Sequence, residues 1–83
     1  MPRTEPIPAA EVESVVNRIK REIAGAGSNI TDTAKKISDT YGSSDTAVSL
    51  ARQIRQGTIP FWKVLRIADV LGYEIVWKKK EPQ

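Results

Sequence analysis

Apolar residues recur along this chain in four blocks at helical spacing and in a fifth block at strand spacing. Over residues 9–24, Val12, Val15, Val16, Ile19 and Ile23 share one helix face, while Glu11, Glu13, Asn17, Arg18, Lys20, Arg21 and Glu22 turn outward. Pro2, Pro6 and Pro8 precede this block, so residues 1–8 read as an extended N-terminal arm with the helix starting near Ala9 or Ala10. Gly25-Ala26-Gly27-Ser28 stops it. A second helix starts at Asn29 or Thr31, both good caps, and sets Ile30, Ala34, Ile37 and Tyr41 on its inner face before Gly42 ends it.

The third block is the sharpest. Ala47, Leu50, Ala51 and Ile54 fall at i, i+3, i+4 and i+7 and must be buried together. Ser43 or Ser44 caps this helix, Asp45 suits its first turn, and it runs over 44–56 to Gly57. Thr58 is a cap for a fourth helix, with Pro60 tolerated in its opening turn and Gly72 beyond its end at Leu71. That helix is apolar on two sides. Phe61, Val64, Leu65, Ala68 and Leu71 form its inner stripe, Trp62, Ile67 and Val70 a second, and Lys63, Arg66 and Asp69 the polar remainder.

Residues 73–78 alternate, with Tyr73, Ile75 and Trp77 opposite Glu74, Val76 and Lys78, which predicts a single half-buried strand. One strand needs a partner for its backbone groups. Pairing with the same strand of a second copy satisfies it, and pairing with residues 3–8 of its own chain is the alternative. A small domain also cannot bury both stripes of the fourth helix by itself. The expected fold is therefore mainly α: a bundle of four to five helices with one C-terminal β-strand paired between subunits. The expected homodimer interface comprises Trp62, Ile67, Val70, Tyr73, Ile75, Val76 and Trp77.

Composition narrows the chemistry. With 83 residues there is one modest core, taken as a domain over 9–78 followed by a basic tail over 79–83. The chain has no cysteine and no histidine, which removes disulfides, thiolate zinc sites and histidine-based triads. No paired carboxylates or glycine-rich phosphate loop suggest an enzyme, so no catalytic residue, metal or cofactor is expected. No apolar run approaches the ~20 residues of a membrane span, and no secretion signal is evident, so a soluble, intracellular protein is expected.

Charge is unevenly placed. Residues 1–45 carry six Lys/Arg and seven Asp/Glu, whereas residues 46–83 carry seven Lys/Arg against three Asp/Glu. A basic second half suits a polyanion. Opposite the buried face of the third helix stand Thr46, Ser49, Arg52, Gln53 and Gln56, with no acid among them. Hydroxyl, amide and guanidinium groups match what a DNA major groove displays: Arg52 can bond guanine O6 and N7, and Gln53 adenine N6 and N7. Phosphate contacts are expected from Asn29, Thr31 and Thr33 at the start of the second helix, from Ser44, Arg55, Thr58 and Lys63 around the third, and from Lys35 and Lys36. Lys78, Lys79 and Lys80 read as a solubilising end.

The run from Thr33-Ala34 to Ile37, a turn, LARQIRQG, and a helix ending IADVLGYEIV resembles the helix-turn-helix of Cro and lambda-repressor-like (Xre-type) regulators, over about residues 10–77. The connection Ser38 to Ser44 is about three residues longer than in the family. Counting back from Gly57, the resemblance puts the reading positions at Ala47, Val48, Ser49, Arg52, Gln53 and Gln56, and the longer turn lets Ser44, Asp45 and Thr46 approach the bases as well. It implies a second helix lying across the DNA backbone, a third in the major groove, and a dimer on an inverted repeat of double-stranded DNA. The function the resemblance implies is a sequence-specific transcriptional regulator, a phage or bacterial Cro-like repressor, in the cytoplasm of a bacterial or phage-infected cell. The alternative is a protein-interaction module or antitoxin whose fourth helix and edge strand bind a partner protein.

Overall fold

Gly57 fixes the corner on which the fold turns. Its φ of 70° is left-handed, and a Cβ there would stand 3.3 Å from Val12 Cγ2. Only glycine allows both the turn and the close approach of the first helix. The computed structural model describes residues 6–42 and 46–81, and these form four α-helices: α1 Ala9–Gly25, α2 Ile30–Tyr41, α3 Ala47–Gln56 and α4 Phe61–Leu71. α2 packs on both α3 and α4, and α1 packs on α3.

The core is built from the periodic apolar positions. Ile37, Leu50 and Ile54 are fully buried and join Ile23, Ala34 and Ile67, with Val16, Ile19, Ile30, Ala47, Ile59, Val70 and Leu71 packed around them. Burying each large aliphatic side chain contributes about 1.5–3 kcal/mol, so this cluster is what holds α3 against α1 and α2. Asn29 is the cap of α2, its Oδ1 accepting from the Asp32 amide at 2.8 Å. The helical class and the inner faces of α1 and α3 are as the periodicity predicts.

Three expectations change. The cap of α3 is Thr46, whose Oγ1 accepts from the Ser49 amide at 3.1 Å, so the helix starts at Ala47 and not at 44. Ser43, Ser44 and Asp45 lie outside the described residues. Pro60, not Thr58, occupies the cap position of α4, and no side chain caps that end. The face that α4 buries is also rotated: Lys63, Ile67 and Ala68 point inward with Val64, Val70 and Leu71 half-buried, whereas Phe61 and Leu65 are exposed. Ile67 is consequently a core residue and not a dimer contact. A lysine stem can line an apolar interior when its ammonium finds an acceptor, and Lys63 finds Gln53.

No strand forms over Tyr73–Lys78, nor a fifth helix among the described residues; residues 73–81 lack regular structure and are exposed. Alternation describes a strand's two faces but supplies no partner, and no described segment pairs with it. Tyr41, expected inside, lies at the surface. No described helix is long and apolar enough to cross a membrane.

Candidate nucleic-acid interface

α3 is anchored by Leu50 and Ile54, and this fixes which side is left outward. Arg52 stands at the centre of that side. Gln56, Ser49 and Gln53 flank it on one edge, Val48 and Arg55 on the other; Val48, Arg52, Arg55 and Gln56 are exposed, Ser49 and Gln53 half-buried. Thr46 is exposed, but its hydroxyl is engaged in the helix cap. The helix AVSLARQIRQ contains no acid, and its last turn carries Arg55. The exposed surface therefore offers guanidinium and amide groups around one apolar contact, Val48, which matches the thymine methyl in type.

Gln53 is more constrained than its neighbours. The Nζ of Lys63 on α4 donates to its Oε1 at 2.9 Å and stands 5.5 Å from the Trp62 ring centre. Lys63 is only 5% exposed, so its expected role as a phosphate contact is overturned: the ammonium serves α3 from the interior.

The remaining phosphate set divides. Thr31, Lys35, Lys36, Arg55 and Thr58 are exposed. Asn29 is exposed, with its side chain joined to Asp32 through both the cap and a 3.2 Å bond from Nδ2 to Oδ2. Thr33 is fully buried, its Oγ1 sharing a 3.2 Å hydrogen bond with Ser28 Oγ, so it is a core residue and not a phosphate contact. Its position one turn inside the helix, in line with Ile30 and Ile37, is the signal that separates it from Thr31. Ser44 lies outside the described residues.

A second cluster joins α2 to α4 at the surface. The guanidinium of Arg66 lies 4.5 Å from the Tyr41 ring centre and 4.8 Å from that of Trp62, within cation–π range of both. The Tyr41 hydroxyl donates to Asp69 Oδ2 at 2.6 Å. Arg66 has no place among the expected functional residues; the i to i+4 spacing of Trp62 and Arg66 was the available signal. Of the expected dimer residues, Trp62, Tyr73, Ile75, Val76 and Trp77 are exposed, with Trp77 at 90%, while Val70 is half-buried against the core. An open groove of about 540 Å³ runs between α1 and α4 beside Tyr73–Val76.

Among the described residues no cluster of three or more acidic side chains is placed to hold a metal ion. Comparison with family models, curated proteins and solved structures finds no match.

Proposed function

We propose that the chain is a sequence-specific double-stranded DNA-binding regulator of the Cro and lambda-repressor-like (Xre-type) helix-turn-helix kind, acting as a homodimer. In this reading α3 enters the major groove, and α2 lies across the backbone. The observation that carries it is the outward face of α3: Arg52, Arg55, Gln56 and Val48 exposed on a helix locked from behind by Leu50 and Ile54, without a carboxylate. Arg52 takes a guanine through its planar fork, Gln56 and Ser49 contact neighbouring bases, and Val48 meets a thymine methyl. Thr46 sits at the groove end of α3, and Arg55, Thr31, Thr58, Lys35, Lys36 and Asn29 position the backbone.

The strand over 73–78 belongs to the same proposal. It forms when two copies pair, bringing Trp62, Tyr73, Ile75, Val76 and Trp77 together and placing two α3 helices on an inverted repeat. The exposed apolar set Phe61, Trp62, Leu65, Val76 and Trp77 favours one second reading, a surface for a different protein chain, as in an antitoxin.

Selection of bound duplexes from a random pool tests the proposal. Enrichment of a two-fold symmetric sequence, with affinity that falls steeply as salt is raised, is the expected result. Arg52→Ala should lose about 1–3 kcal/mol of discrimination at one base pair per half-site. A pool that stays random, or an Arg52→Ala protein with unaltered preference, overturns groove reading by α3.

A further inference from the structure

Val48 is the apolar exception on the outward face of α3. It is 73% exposed, and it stands one turn before Arg52, on the same side of the helix as Arg52 and Gln56. The polar side chains around it are guanidinium, amide and hydroxyl groups, with no carboxylate in the helix. A valine side chain makes no hydrogen bond, so a base edge set against it gains through apolar contact alone. Among the groups that the base pairs display in the major groove, the apolar one is the C5 methyl of thymine. Cytosine presents its N4 donor beside a bare C5, and Val48 cannot accept from that donor. A methyl added at C5 of cytosine occupies the place that the methyl of thymine occupies, and it leaves every hydrogen-bonding group of the pair unaltered.

We infer that Val48 makes this protein a reader of C5 methylation: at the base pair facing Val48, a pyrimidine that carries the methyl is bound more tightly than the same pyrimidine without it. The inference rests on the proposed groove reading by α3, and it names the ligand of that site as DNA with a C5-methyl pyrimidine, thymine or 5-methylcytosine. Removing one methyl from water against valine corresponds to about fourfold in affinity at each half-site. Binding to a site with cytosine at this position therefore changes with the methylation state of the DNA, although its sequence does not.

Random-pool selection with the parent and Val48→Ser supplies the duplex and identifies the base pair that residue 48 faces. Val48 is exposed, so the variant should keep its helix content, checked by circular dichroism. On that duplex, two exchanges change one methyl and keep the opposing purine: uracil for thymine, and 5-methylcytosine for cytosine. The parent should bind the uracil duplex about fourfold more weakly per half-site than the thymine duplex, and the 5-methylcytosine duplex about fourfold more tightly than the cytosine duplex. Val48→Ser should bind both members of each pair alike. Equal affinity of the parent for both members, the same ratios in Val48→Ser, or a Val48→Ser protein that relaxes no base pair overturns the inference and leaves groove reading by Arg52 intact. A parent that enriches no sequence removes both this inference and the reading beneath it.

Discussion

The Tyr41 hydroxyl gives the contact between α2 and α4 a pH dependence. Its hydrogen bond to Asp69, first, then desolvation and the adjacent carboxylate charge hold the phenol pKa above its ordinary value of 10.0, with Arg66 acting in the opposite sense. Deprotonation removes the donor and sets an anion against a carboxylate. Because the folded pKa is raised, the contribution is fully present below the unfolded value and is lost as pH rises through the folded one. In a Tyr73→Phe background, phenolate absorbance should show Tyr41 titrating above pH 10, and Asp69→Asn should lower that midpoint. An identical midpoint in both proteins would mean that the bond does not persist in solution. The neighbouring arginine has its own consequence: Arg66→Ala removes the cation that both rings face and should cost about 0.5–1 kcal/mol in denaturant unfolding, the range of a surface cation–π pair.

α3 was legible because its apolar residues occupy one side only. Leu50 and Ile54 fix the inner face, and Arg52 and Gln56 then have nowhere to go but outward. α4 was not legible for the opposite reason. Apolar residues surround most of it, so periodicity alone leaves its rotation open; the rotation observed buries Ile67 and Ala68 and brings Lys63 to Gln53, contacts between helices that spacing within one helix does not reveal. Thr33 and Thr31 differ in the same way, one buried and bonded to Ser28, the other exposed, although both are good residues for a helix start. The ends of α3 therefore carry the sharpest tests at this scale. Thr46→Ala removes the side chain that caps the Ser49 amide and should destabilise the fold by about 1 kcal/mol. Gly57→Ala should destabilise it by more than about 1 kcal/mol, since alanine meets both a left-handed φ of 70° and Val12 at 3.3 Å. Equal urea midpoints for parent and Gly57→Ala would contradict that corner.

At the scale of the whole molecule, several large apolar side chains among the described residues stand outside the buried cluster. Trp77 is 90% exposed and Val76 70%, and Phe61, Trp62 and Leu65 stand out from α4. In a chain of 83 residues with one modest core, covering such a surface would add to stability through burial of apolar area. Pairing of two Tyr73–Lys78 segments would satisfy their backbone groups and cover the indoles at once, and it would set two reading helices on one DNA face. Sedimentation equilibrium over about one to a hundred micromolar should then show the mass rise from 9.2 kDa to twice that value, with tryptophan emission moving to shorter wavelength in parallel. Trp77→Glu should hold the chain at monomer mass with unaltered helix content and weaken binding to an inverted repeat far more than binding to a single half-site. A parent that stays at 9.2 kDa throughout would leave the apolar set to a different protein chain, and half-sites would then bind as tightly as whole ones.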